Sequence, residues 1–264
     1  MDNNYKQKII QGREIMKASD YEVESDEKKG LPQPSLSNEK STDTVVQLSK
    51  EFEDILTDNN FLDILNNRGS KRKYAEEPLT LKELSFLLWA TQGVKDVIGK
   101  NRKATIRMVP SAGARHPFET YLFVNRVEGL NQGLYHYLPL THELELIRED
   151  LEQENKVTKA FLGQSFAGGA PVSFVWSVVP YRSEWRYTVD AQKYALLDAG
   201  HICQNLYLAG EAIGCGVCAV GAYDQQLTDS LIGLSKAYSF EEDTEFTVYA
   251  AAVGKKAKEN RYEV

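Results

Sequence analysis

Between residues 188 and 213 small and apolar side chains recur at Ala191, Ala195, Ala199, Ile202, Leu206, Ala209 and Ile213. Steps of three and four predict one long helix with a narrow face. Small residues on that face let another helix come close, and a second copy of the same helix fits as the partner. Thr80-Leu-Lys-Glu83 has the form of a capping box. It opens a helix with Leu81, Leu84, Leu87 and Leu88 on one side, which Gly93 stops. Shorter helices are expected over residues 58–66, 151–162 and 224–234, the last capped by Asp224.

Strand signals come as runs of Tyr, Phe, Leu and Val over residues 118–125 and 133–138, joined by a Gly-containing connection that predicts a hairpin. Further strands are expected at residues 144–148, 171–179, 215–220 and 245–253, while 99–117 and 181–187 read as loops. Hairpins and helices intermix without βαβ alternation. The fold class expected is therefore α+β, a mainly antiparallel sheet flanked by helices.

The first 60 residues follow a different pattern. A helix over residues 3–17 leads into an acidic, Pro- and Ser-containing stretch, 19–43, that lacks periodicity. It reads as an arm wrapping over a partner subunit, with the domain proper over residues 61–264. Five of the seven net negative charges fall in residues 1–60, so the body is nearly neutral. A nucleic-acid partner would normally require a basic excess, which argues against one. At 264 residues and 42% apolar content the chain can bury a sizeable core. No apolar window reaches the ~18 residues of a membrane helix, and no secretory core follows the polar N-terminus. A soluble cytoplasmic protein is expected.

Arg68-Gly69-Ser70-Lys71-Arg72 packs two guanidiniums, an ammonium and a hydroxyl into five residues. Forked donors from Arg68 and Arg72, a neutral donor from Ser70 and close backbone approach at Gly69 suit a phosphate; a solvated turn is the bland alternative. Pro110-Ser111-Ala112-Gly113 sets a turn that displays a hydroxyl and backbone amides. No G-x-S-x-G elbow surrounds Ser111, which argues against hydrolase chemistry. There is also no Rossmann glycine fingerprint and no Walker loop. His116, His136, His142 and His201 lack metal-ligand spacing, and Cys215-x-x-Cys218 lies in an apolar run that reads as a buried strand.

The chain resembles the FMN-dependent nitroreductase superfamily, most closely its SagB-type thiazoline/oxazoline dehydrogenase branch. The resemblance rests on Arg68-x-Ser-x-Arg72-x-Tyr74, Leu87-Leu-Trp-Ala-Thr-Gln-Gly93, Pro110-Ser-Ala-Gly-Ala-Arg-His-Pro117 with Glu119, and Gly133-Leu-Tyr-His-Tyr137. Lys193-Tyr-Ala-Leu-Leu-Asp-Ala-Gly-His201, Gln204-Asn-Leu206 and Val220-Gly-Ala-Tyr-Asp224 complete it in the family's order. It implies a homodimer with FMN at the interface and NAD(P)H as co-substrate. By that resemblance Arg68, Ser70 and Arg72 contact the FMN phosphate and ribityl chain, helped by Lys255, Lys256 or Arg261. Pro110, Ser111, Ala112 and Gly113 come from the other subunit, and Gly221 and Ala222 face the reactive ring edge. Lys193 and Tyr194 fall on the pair that moves a proton in azoline oxidation, though adjacent helical residues point roughly 100° apart. An exposed Lys beside a packed Tyr is the alternative. The functions implied are reduction of a small aromatic or quinone-like acceptor, oxidation of peptide azolines, or flavin binding without turnover.

Overall fold

The computed structural model describes residues 3–17, 22–101, 103–234 and 244–257; Arg261 lies outside them. The helices are α1 (Asn3–Met16), α2 (Asp26–Lys29), α3 (Phe61–Asn67), α4 (Leu81–Gln92), α5 (Gln153–Ala160), α6 (Ser165–Gly168), α7 (Tyr181–Tyr187), α8 (Ala191–Ala212) and α9 (Gln225–Leu231). The strands are β1 (Val45–Gln47), β2 (Val94–Ile98), β3 (Ala104–Arg107), β4 (Phe118–Val124), β5 (Gly133–Leu138), β6 (Glu143–Glu149), β7 (Val172–Val178), β8 (Cys215–Val220) and β9 (Phe246–Lys255). Seven strands form one sheet in the order β1-β6-β5-β4-β7-β9-β8, every neighbouring pair antiparallel. This is the α+β architecture read from the sequence. No described helix is long and apolar enough to cross a membrane.

Strand alternation gives the sheet two apolar faces. Phe118, Leu122 and Val124 of β4 pack with Leu84, Leu87 and Leu88 of α4 and Ile202 and Leu206 of α8. Tyr121 and Phe123 face the opposite way, toward Val157 and Ala160 of α5 and Ala167 beside Phe166 of α6. The α4 capping box forms as expected, Thr80 accepting from the Glu83 amide and Glu83 from the Thr80 amide.

Several expectations are corrected. The small-residue face of α8 is buried against its own sheet and α4, so it is not the surface offered to a second copy. Leu196 and Leu197, 57% and 53% exposed, lie instead on the outward side with Gly200, His201 and Gln204. The 99–117 loop contains β3, which pairs with β2, and the 181–187 loop is α7. A bulge in β9 opposite Trp176 and Ser177 turns the consecutive Val248 and Tyr249 toward the α8 face.

The described part of the acidic arm packs on its own protomer. Gln33 exchanges hydrogen bonds with the Lys103 backbone, Trp185 Nε1 donates to Leu31 O at 3.2 Å, and Tyr181 OH donates to Asp26 at 3.1 Å. Residues 38–42 cover a polar row that runs across three strands, β4, β5 and β6. His136 lies between Glu119 at 3.0 Å and Glu145 at 2.8 Å, and all three side chains are almost fully buried. The Ser41 and Thr42 amides donate to Glu145, the Asn38 amide donates to Glu119, and Arg182 joins Glu119 to the Asn38 side-chain oxygen. Buried charge is tolerated here because each carboxylate has several donors.

Candidate functional site

The chain leaves α3 with the Arg68 amide donating to Ile64 O, then runs extended beside β8. Ser70 bridges to Val217 in parallel, and the Lys71 amide donates to Val217 O at 2.9 Å. Gly216 permits this approach, since a Cβ there would sit 2.7 Å from Lys71 Cβ. Tyr74 OH holds the segment from the other side through Lys71 O and Ala252 O. Gly69 itself is not crowded; the nearest atom to a Cβ placed there is 3.9 Å away.

The Arg68 guanidinium stands over the Tyr207 ring at 5.3 Å and that of Arg72 over Phe166 at 5.7 Å. Neither guanidinium has an acid partner among the described residues. Lys255 and Lys256 do: Glu83 binds Lys255, with Glu77 at 3.8 Å, and Glu211 binds Lys256. Burial tends to lower the Lys255 pKa, but the bond to Glu83 outweighs it and raises the pKa. The Lys255 ammonium is thus directed at Glu83, unlike the two arginines.

Tyr207, which the sequence reading missed, connects this segment to the end of β8. Its hydroxyl accepts from the Ala219 amide at 2.8 Å and lies 3.0 Å from Ser70 Oγ. β8 ends at Val220, and the Gly221 and Ala222 that follow are exposed, with amides that have no backbone acceptor among the described residues. Gln164 holds the Ala222 carbonyl at 2.8 Å, and the Asp224 amide donates to Ala160 O, so the turn is fixed from below. Tyr207→Phe is expected to cost about 1–2 kcal/mol in urea unfolding, because the Ala219 amide loses its partner. A loss under about 0.5 kcal/mol would mean that another group takes over that amide.

The second predicted segment, Pro110–Gly113, packs against another stretch of α8. Ser111 Oγ donates to Asp198 at 2.5 Å and accepts from the His116 amide at 2.9 Å. Burial raises the Asp198 carboxyl pKa against the lowering effect of that serine bond. Ala112 and Gly113 follow Pro110 and Ser111 into a single turn, with Gly113 at φ 54°, where a Cβ would collide with the Tyr187 hydroxyl. Tyr187 in turn meets Tyr194 edge-on at 4.9 Å. Lys193 is half-buried and has no acid partner among the described residues. The adjacent pair therefore diverges, Tyr194 turning to Tyr187.

Asp198 and Tyr207 are nine residues apart on α8, roughly 13 Å along the axis. One chain thus carries the Arg68, Ser70, Arg72 and Gly221 cluster at one stretch and the Pro110–Gly113 turn with Lys193 and Tyr194 at another. Asp198 was readable as a carboxylate on an otherwise apolar helix turn. Tyr207 was not, because its partner Ser70 is 137 positions away.

Comparison with known proteins gives these parts a common origin. A Methanocaldococcus jannaschii protein named as a nitroreductase is 36% identical over 170 residues, which cover 64% of this chain and 82% of that protein. A structure from Anabaena variabilis, also named as a nitroreductase, matches with a TM-score of 0.61 at 24% identity. The match covers 75% of this chain and 38% of that longer one. The Escherichia coli microcin synthetase McbBCD complex contains a chain matching at TM-score 0.55 and 18% identity, over 97% of this chain and 92% of that one. At those identities the two structures establish the fold alone. The family model described as "Nitroreductase family" matches residues 65–255, from just before Arg68 to the end of β9. With that span covered, the chain belongs to the nitroreductase family and is an oxidoreductase of that type.

Proposed function

We propose that the protein is an FMN-dependent oxidoreductase that passes hydride between NAD(P)H, flavin and a small aromatic or quinone-like acceptor. The observation that carries this reading is the pair of guanidiniums without acid partners among the described residues, Arg68 and Arg72, on a segment that Ser70 and Tyr207 join to the Ala219 amide, just before the exposed Gly221 and Ala222. Two cations, a hydroxyl and, farther along, backbone donors fit a group with a phosphate at one end and a hydrogen-bonding ring at the other. FMN, when bound, supplies the hydride-accepting ring.

In this reading Arg68, Ser70 and Arg72 hold the phosphate, and the Gly221 and Ala222 amides donate to the ring edge. Donors fixed by the sheet need no reorganisation when charge develops there. Pro110, Ser111, Ala112 and Gly113 belong to the ring-facing wall, and their separation from Arg68 along α8 fits a site completed by a second copy. The outward stripe of Leu197, Gly200 and Gln204 supports a homodimer, since Gly200 leaves open space for a close neighbour. Lys193, half-buried and without an acid partner among the described residues, is the proton-handling candidate on that wall, with Tyr194 beside it.

Anaerobic absorbance of the FMN-loaded dimer tests the reading. The flavin band is expected to bleach with NADH or NADPH and return with nitrobenzene or a benzoquinone. A colourless protein that cannot be reconstituted with FMN would sink it. The Lys193-Tyr194 pair favours a second reading, oxidation of peptide azolines. Bleaching by an azoline peptide without NAD(P)H would establish that one. Flavin bound but inert to both reductants would mean binding without turnover.

A further inference from the structure

Beside the Pro110–Gly113 turn lies a second cationic pair that the flavin reading does not use. Arg115 is only 4% exposed; its Nε donates to Arg182 O at 2.9 Å, its guanidinium stands over Trp185 at 5.1 Å, and its Nη2 has no partner among the described residues. Arg186 approaches the same turn, its Nε 3.2 Å from where a Cβ of Gly113 would be. The two guanidiniums repel each other. Burial and then the Arg186 charge hold the Arg115 pKa below its usual range, while Glu27 acts in the opposite direction.

Glu27 is the carboxylate that the acidic arm brings here. It sits on α2 with Oε2 3.5 Å from Arg186 Nε. That contact is long, and the Arg186 side chain is 42% exposed, so it is a weak one. The arm is far better anchored farther on, where residues 38–42 bind the buried Glu119 and Glu145. Gly30, at φ 79°, ends α2, and Pro32 and Pro34 follow. Asp26 and Leu31 stay tied to α7 through Tyr181 and Trp185, so it is the Glu27 side chain, not the α2 turn, that swings out.

We propose that Arg115 and Arg186 form a subsite for the carboxylate of an aromatic electron acceptor, and that Glu27 occupies it until such a ligand displaces it. The proposal rests on the oxidoreductase reading for the acceptor's ring, which Tyr187 and Tyr194 would flank. The two arginines offer what a carboxylate's two oxygens need, an unpaired buried N–H group and a more exposed fork. Glu27 then acts as a tax on affinity, since the subsite is competent only in the fraction of molecules whose Glu27 side chain has moved away.

The test is a titration of the full-length FMN-loaded protein with benzoate, read by the emission of Trp185 and with Trp185→Phe identifying the signal. Glu27→Gln is expected to bind benzoate about five-fold more tightly than the parent, because the internal competitor is removed. Arg186→Gln is expected to bind it about five-fold more weakly, and neutral benzamide should give no comparable response. In turnover, Glu27→Gln should raise kcat/KM for 4-nitrobenzoate and leave that for nitrobenzene unchanged. Equal benzoate affinity in Glu27→Gln and parent, or equal binding of benzamide, would overturn the proposal. Two outcomes keep the readings apart: a flat benzoate response from FMN-loaded protein that reduces nitrobenzene removes the subsite alone, and the expected benzoate pattern in a protein that takes up no FMN removes the flavin reading alone.

Discussion

The double variant Arg68→Ala/Arg72→Ala is expected to lose FMN affinity by at least about 100-fold, since each charge-assisted hydrogen bond to phosphate contributes about 1.5–3 kcal/mol. Isothermal titration with FMN measures this directly. The flavin-free variant should keep its fold, because neither guanidinium has an acid partner among the described residues and Arg72 is exposed. The two single variants should differ. Arg68 is half-buried and covers the Tyr207 ring, so Arg68→Ala also removes packing above the hydroxyl that joins Ser70 to Ala219. Arg72 lies over Phe166 at the edge of the opposite sheet face, and Arg72→Ala should lose flavin with little loss of stability. Recovery of the double variant with a full complement of FMN would remove the phosphate assignment.

What the sequence made legible was local. The Arg68–Arg72 motif could be found because its charges are consecutive, and the α4 capping box because its two hydrogen bonds close within four residues. That Glu83 also binds Lys255 is invisible in sequence, since 172 positions separate them. The long helix was legible in its period but not in its surroundings. A stripe of small residues looks the same whether a sheet or a second helix covers it, and here its own sheet does.

The missed elements lack the signals that sequence reading relies on. β2 has one buried residue followed by four exposed ones, so no alternation marks it as a strand. α7 has seven residues and no side-chain cap. Its support is tertiary, from Leu31, Asp26 and Asn38 of the arm. The arm itself looked featureless because its order comes from backbone amides meeting carboxylates on β4 and β6. Only the sheet register brings Glu119, His136 and Glu145 into one row.

That row sets a pH window for stability. Burial alone would lower the His136 pKa, but hydrogen bonds to Glu119 and Glu145 outweigh it and raise the value from 6.5 to about 9. A raised folded-state pKa gives stabilisation that is complete below pH 6.5 and lost as pH climbs through 9. A shift of this size corresponds to roughly 3 kcal/mol. On the acid side burial raises both carboxylates, yet for Glu119 the Arg182 charge and the His136 bond win, and for Glu145 the His136 bond and the Ser41 and Thr42 amides; each ends at about 2. Their stabilisation is present above pH 4.5 and lost as pH falls toward 2. Glu245, raised by burial and by Glu119, partly offsets that loss on the acid side. Tyr121 and Tyr137 are pushed upward by burial, so they do not titrate between pH 6 and 9.5. Urea midpoints of the parent are therefore expected to fall steeply from pH 6 to 8.5, below the range in which Cys203, Cys215 and Cys218, whose pKa burial raises above 9, begin to weigh on stability, whereas His136→Gln, less stable at pH 6, should be nearly flat over the same interval. Parallel slopes in the two proteins would show that the imidazolium is not the group responsible. Because Glu119 and Glu145 also hold Asn38, Ser41 and Thr42, the alkaline loss should come with faster proteolysis of the arm, linking a charge buried in the sheet to the strap that crosses it.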